Sequence, residues 1–134
     1  MTIKLFRLES IIERKSSLFG IVVAVVVGTL AGPVIFPHIF HGYHVYHILL
    51  HIVGICVAIF ITVLAVIAYS RLRTKRLLLT SIAFSIFFVA EIVVLIDATW
   101  PRMYELGLMP LFEVGHILTI TSLALIAAGV FRND

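Results

Sequence analysis

Five of the six histidines stand close together near the start of an apolar segment, in a chain that otherwise carries few polar side chains. His44, His47 and His51 are spaced by three and four residues, which places them on one face of a helix. Glu113 and His116, three residues apart, also share a face. Metal sites in helical bundles use imidazole and carboxylate groups at such spacings. The pattern predicts a metal site with ligands from two helices. His44 could be a further ligand.

Glu91 places a carboxylate inside another apolar segment, Leu77–Ile96. An ionised side chain at the centre of a bilayer costs about 3 kcal/mol on insertion scales, so Glu91 is expected to be paired, protonated or functional. At 1.5 Å per helical residue, His51, Glu91 and His116 each lie roughly 7 Å below the same membrane boundary. We therefore expect the three side chains to meet. The alternative is a neutral glutamic acid that is hydrogen-bonded to His51 or His116.

Two cofactors fit these residues. The first is a bare copper, zinc or iron ion, because imidazole and carboxylate ligands suit such metals. Its ligands would come from five residues: His47, His51, Glu91, Glu113 and His116. Each of the two carboxylates would either bind the ion or form a hydrogen bond with a residue that binds it.

The second cofactor is haem b, with His51 and His116 as the two axial ligands from facing helices. Gly54 and Gly115 would then make room for the macrocycle, and Arg102 or Tyr104 would meet its propionates. Haem leaves His47 and both carboxylates unused, so the number of residues employed favours the bare ion.

The elements that position these residues are apolar segments of membrane length. The chain has 134 residues, 62% hydrophobic and 13% charged, with a mean hydropathy of +1.19. A soluble domain is about half apolar and one-quarter charged. Segments of about 20 apolar residues cross the roughly 30 Å hydrocarbon core as helices, which satisfy their own backbone groups. The predicted spans are Leu18–Phe36, Tyr46–Tyr69, Leu77–Ile96 and Leu111–Phe131.

This arrangement predicts an all-α, integral membrane four-helix bundle that forms one domain over residues 1–134. Pro33 and Pro37 are expected to end the first span. Residues 1–15 alternate apolar and charged side chains, as in a short interfacial helix, although a frayed tail fits equally well.

Basic residues predict the orientation. Nine of the ten lie before the first span, between spans two and three, or after span four, and Arg102 alone lies on the other side. Short loops rich in Lys and Arg stay cytoplasmic, so we expect both termini inside the cell and the metal site near the outer face of the cell membrane. The net charge of +3 then reflects topology, and no nucleic-acid partner is predicted.

Span one carries small residues at a strict spacing of four: Gly20, Ala24, Gly28 and Gly32. Such a stripe lets two helices approach closely in lipid. It predicts helix packing, either within this chain's own bundle or against another membrane subunit.

Two stretches, "AVIAYSRLRTKRLLLTSIAFSIFFVAEIVVLID" and "LFEVGHILTITSLALIAAGVFR", resemble small uncharacterised archaeal proteins with three or four spans. The layout is also similar to accessory subunits of membrane monooxygenases and terminal oxidases. Neither resemblance supplies a catalytic residue.

The chain shows no serine elbow, phosphate-binding glycine loop or other nucleophile–base pair, so a stand-alone enzyme is not expected. The sequence predicts a subunit of a membrane redox or oxygenase complex that contacts lipid and other subunits. Alternatives are a haem-binding electron-transfer protein and a structural subunit with a hydrogen-bonded polar cluster.

Overall fold

Four helices form most of the structure. The computed structural model describes residues 14–39, 43–100, 105–106 and 109–132, with only the backbone described at 43, 44, 105, 106 and 109. The helices are α1 (Lys15–His38), α2 (Tyr43–Leu72), α3 (Lys75–Thr99) and α4 (Leu111–Val130). Each is long and apolar enough to cross a membrane. The predicted all-α class with four helices of membrane length is therefore confirmed.

Helix α1 contains a wide turn at its prolines. Helix α1 continues through Pro33, which was predicted to help end the first span, and it ends at His38, one residue after Pro37. Ala31–Ile35 form a π-helical turn, in which the Phe36 N–H donates to the Ala31 carbonyl. In a regular α-helix a proline ring clashes with the carbonyl four residues earlier. The extra residue in a π turn changes that geometry, and the helix extends by a further turn.

A tight turn joins α2 to α3. Arg73 ends α2 with a positive φ of 54°, and its N–H donates to the Tyr69 carbonyl. Its guanidinium lies 5.6 Å from the centre of the Tyr69 ring, a cation–π contact. Thr74 then caps α3 by accepting a hydrogen bond from the Leu77 N–H. These contacts reverse the chain within two residues and set α2 and α3 side by side.

Helix α3 extends beyond the predicted span, which ended at Ile96. It continues to Thr99, because the first residue that disfavours helix there is Trp100, which precedes Pro101. Asp97 is therefore a helical residue, although it lies beyond the end of the predicted span. Beyond α3, strands β1 (Glu105–Leu106) and β2 (Met109–Pro110) pair antiparallel and lead directly into α4.

Consecutive helices make the extensive contacts, and α3 lies between α2 and α4. Small side chains mediate the α3–α4 contact: Gly115, Ser122 and Gly129 recur every seven residues on α4 and are buried. The Ser122 hydroxyl donates to the Ala83 carbonyl of α3 at 2.8 Å, and Ala83 is fully buried. Small residues allow this close approach, as is usual between membrane helices.

The glycine stripe of α1 faces away from the other helices. Gly20, Ala24, Gly28 and Gly32 are all exposed, and a Cβ added at any of the three glycines would meet nothing within 4 Å. Of the two predicted uses, packing within the chain's own bundle is therefore wrong. The residues of α1 that pack inward are Val22, Val26 and Val34, which join a core with α2 and α3.

Several predictions fall on residues outside the described ranges. These are the interfacial helix, of which residues 1–13 are not described, and the roles of Arg102 and Tyr104 toward haem propionates. The same holds for His41 and for the side chain of His44.

Replacing Ser122 with a larger residue tests the α3–α4 contact. Ser122→Leu should lower the free energy of unfolding by about 1–3 kcal/mol, because the added atoms must enter a filled interface beside Ala83. The measurement is the SDS-induced unfolding transition in mixed micelles. Thr121→Leu is the matched control, since Thr121 is exposed and bonds only to the Ile117 carbonyl of its own helix. Equal destabilisation by both variants would contradict the proposed packing.

Candidate metal site

One hydrogen bond joins the two central polar residues across the α2–α3 interface. His51 Nδ1 lies 3.0 Å from Glu91 Oε2, as expected from their predicted depths. The two side chains are only 18% and 19% exposed, so the pair is largely shielded from its surroundings. With Glu91 ionised, its carboxylate can only accept, so Nδ1 carries the proton and the Nε2 lone pair of His51 is left for a ligand.

Gly54 provides the space that Glu91 occupies. A Cβ built on Gly54 would lie 2.6 Å from Glu91 Oε2 and 2.8 Å from its Cδ. Real Cβ atoms do not approach other atoms so closely, so any side chain at position 54 would displace the carboxylate. Gly115 makes room in the same way for the side chain of Val94. Both glycines were predicted to make room for a macrocycle, and here protein side chains fill that room.

The His51–Glu91 pair lies in a cavity that also contains other polar side chains. This histidine cavity, of about 310 Å³, is lined by His47, His51, Glu91, Val94, Asp97, Ala98, Phe112, Gly115, His116, Thr119 and Ile120. Residues of α2, α3 and α4 therefore share one space, and four of the predicted site residues are among them. Asp97 is the acidic residue that the sequence did not single out. Its position signals the site only once α3 is known to extend to Thr99.

His116 has a defined hydrogen bond of its own. Its Nδ1 lies 3.0 Å from the Phe112 carbonyl, and a carbonyl oxygen can only accept. Nδ1 must therefore carry the proton, so a neutral His116 has its lone pair on Nε2. The imidazole also packs edge-on against the Phe112 ring, with 4.2 Å between the ring centres. A backbone carbonyl in this position commonly fixes the tautomer and the orientation of a metal-binding histidine.

His47 stacks on the His51 ring. The two ring centres are 4.8 Å apart and the planes are nearly perpendicular, one helical turn apart on α2. His47 is exposed, as is His116, so the cavity opens to the outside of the helices on this side. His51 and Glu91 lie at its more shielded end.

Glu113 lies outside the histidine cavity, so its predicted place in the site is not supported by the geometry. The face of α4 that lines the cavity carries Phe112, Gly115, His116 and Thr119. Glu113 follows Phe112 directly, so it lies about 100° around the helix axis from Phe112, and it is exposed. Among the described residues, no three His, Cys, Asp or Glu side chains converge closely enough to hold a metal ion without some rearrangement.

Helix α3 separates the histidine cavity from an apolar one. The second cavity, of about 370 Å³, lies between α1, α2 and α3 and is lined almost entirely by apolar side chains, including Val34, Ile55 and Phe88. It contains no histidine or acidic residue. Ligands with polar chemistry would therefore be bound on the α4 side of α3.

These features define a chain with the helices of a multi-pass membrane protein and a polar cavity between three of them. No family model, no curated protein and no solved structure matches the chain. The resemblances drawn from the sequence therefore remain predictions, and the function is argued from the cavity itself.

Substitution of Gly54 tests whether it is needed for Glu91. Gly54→Ala should lower the free energy of unfolding by roughly 1 kcal/mol relative to Gly28→Ala, because the new methyl group displaces the carboxylate and breaks its hydrogen bond with His51. In a Glu91→Ala background the same substitution should cost much less, since the clash is removed. SDS unfolding of the wild type, Gly54→Ala, Glu91→Ala and the double variant measures this coupling.

Gly28→Ala is the matched control, because a Cβ there meets nothing within 4 Å. If Gly54→Ala costs the same with and without Glu91, the close approach of the carboxylate to α2 is contradicted.

Proposed function

We propose that the chain is a small integral membrane subunit of a redox or oxygenase complex, and that it binds one transition-metal ion in the histidine cavity. Copper, zinc and iron all accept imidazole and carboxylate ligands. His51 and His116 are the primary ligands, His47 is a third, and Glu91 orients His51. The subunit carries the metal site without being a stand-alone enzyme.

One observation carries this proposal. Two imidazoles from different helices line the same cavity, and each uses Nδ1 in a hydrogen bond with the protein. Histidines that bind metals nearly always have their second nitrogen held in this way by a carboxylate or a backbone carbonyl. Glu91 and the Phe112 carbonyl are these two kinds of partner. With Glu91 ionised, the arrangement leaves two Nε2 atoms for a metal ion.

Binding an ion requires the candidate ligands to move closer together. The described ligands do not yet converge on one point. His47 and His116 are exposed, however, so their imidazoles have room to move on the open side of the cavity. His51 is fixed by Glu91 and would provide the stationary ligand. A metal ion would then replace the solvent or lipid contacts of the two exposed imidazoles.

A purely structural role is the second candidate, and the absence of a converged triad among the described residues favours it. In that case a neutral Glu91 donates its proton to His51 Nδ1, and Nε2 carries the other proton. No lone pair then remains on His51 for a metal. Such a pair would hold α2 and α3 together within lipid, where interhelical hydrogen bonds are worth roughly 0.6 kcal/mol on average.

The open side of the cavity supports the role as a subunit. His47 and His116 are exposed on a surface that lipid would otherwise cover, and polar side chains facing lipid are unfavourable. A partner subunit over this side would shield the metal. The stripe of Gly20, Ala24, Gly28 and Gly32 offers a second surface for a neighbouring helix.

Metal content and an absorption spectrum test the proposal. The protein purified in mild detergent should contain about one equivalent of copper, zinc or iron and show no Soret band. His51→Ala and His116→Ala should each lower metal affinity by more than the roughly 10- to 100-fold typical for loss of a ligand's hydrogen-bond partner. His38→Ala is the control, because its Nδ1 donates to the Val34 carbonyl of α1, away from the cavity.

Three outcomes would contradict the proposal. A Soret band that is lost in His51→Ala would identify haem, with His51 and His116 as axial ligands. Absence of both metal and haem would leave the structural role. Loss of metal in His38→Ala to the same extent would show that binding is not specific to the cavity.

We propose an orientation with both termini in the cytoplasm and the histidine cavity near the outer face of the cell membrane, because basic residues concentrate at the other end. In a Cys56→Ala background, Lys75→Cys should resist an impermeant maleimide added to intact cells, whereas Pro110→Cys should react. Both positions are exposed, so the comparison depends only on sidedness. The reverse labelling pattern would rule this orientation out.

A further inference from the structure

Asp97 is the one residue of the histidine cavity whose charge has no evident use in the proposed ligand set. It lines the cavity together with His47, His51, Glu91 and His116. Its side chain is partly buried, and no hydrogen bond or ion pair joins it to another described residue. A carboxylate in this position is unusual enough to need an explanation.

The position of Asp97 on α3 makes its negative charge unfavourable. It lies in the last turn of the helix, which ends at Thr99. The carbonyl groups at the end of a helix give that end a partial negative charge, so acidic side chains are disfavoured there and cations are favoured. A positive ion in the adjacent cavity would relieve this repulsion.

Asp97 and Glu91 define two levels in the cavity. Six residues separate them on α3, so Asp97 lies about 9 Å nearer the end of the helix than Glu91. His51 and Glu91 form the shielded end. A cation that approaches from the end of the helix therefore meets Asp97 before it meets the imidazole of His51.

The geometry points to Asp97 as the carboxylate that attracts a divalent cation into the histidine cavity and helps to balance its charge. This inference rests on the proposed metal site and narrows its ligand. With both carboxylates ionised and the imidazoles neutral, the cavity would carry a charge of −2, which a divalent ion neutralises. A monovalent copper ion would leave one negative charge uncompensated beside the shielded His51–Glu91 pair, where unpaired charge is costly. Divalent ions are thus the expected class.

Titration with cobalt(II) chloride tests the inference, because cobalt has a ligand-field spectrum that reports its coordination. Asp97→Asn should weaken Co²⁺ binding by roughly 10-fold or more, the range for residues that support a metal site without being its main ligands. The ligand-field bands of Co²⁺ bound to the Asp97→Asn variant should keep their positions, since the imidazoles are unchanged. Asp97→Glu should restore part of the affinity, because it restores the charge.

Glu113→Gln is the matched control. Glu113 is an acidic residue on the same end of the helices, but it is exposed and does not line the cavity. The Glu113→Gln variant should bind Co²⁺ with the affinity of the wild-type protein. An equal loss of affinity in Glu113→Gln would show that general surface charge, and not Asp97, attracts the ion.

The remaining outcomes separate the proposed metal site from the proposed role of Asp97. Wild-type protein without any ligand-field bands would refute the metal site and this inference with it. Wild-type binding that Asp97→Asn leaves unchanged would overturn only the role of Asp97. Tighter binding of Cu⁺ than of divalent ions would also overturn it. Circular dichroism and the SDS unfolding midpoint of each variant show whether the fold is retained.

Discussion

The hydrogen bond between His51 and Glu91 is the contact on which the candidate site depends. It joins α2 to α3 at 3.0 Å, and it requires that position 54 carry no side chain. A carboxylate in a membrane helix needs a partner, because water is scarce and unpaired charge is costly there. His51 supplies that partner, and in return the carboxylate fixes the orientation of the imidazole. Stability of the helix pair and chemistry of the cavity therefore come from the same contact.

The position of α3 between α2 and α4 determines which residues share the cavity. Gly115, Ser122 and Gly129 bring α4 close to α3, and this places His116 over the same space as His51. The opposite side of α3 faces an apolar cavity and α1. One helix thus separates a polar region from an apolar one, and His47, His51 and His116 belong to the polar region.

The exposed surfaces indicate where other molecules would contact the chain. The small residues of α1 and the imidazoles of His47 and His116 are exposed, and no described part of the chain covers them. Small residues suit a helix partner, because they allow close backbone approach. Exposed imidazoles suit a metal ion or a polar partner, since lipid offers neither hydrogen bonds nor coordination. Both features are consistent with a chain that works within a larger membrane complex.

The sequence by itself determined the four membrane-length helices and the positions of His51, Glu91 and His116 along them. Both follow from local quantities: the length of apolar segments, and the fixed rise of a helix per residue. Only the tertiary structure decided which helix faces meet. It turned Glu113 out of the cavity, brought Asp97 into it, filled the space beside Gly54 with Glu91 and left the stripe on α1 exposed. The rotation of a helix about its axis depends on packing against its neighbours. An apolar segment in lipid carries little sequence signal of that rotation, because nearly every face of it is hydrophobic.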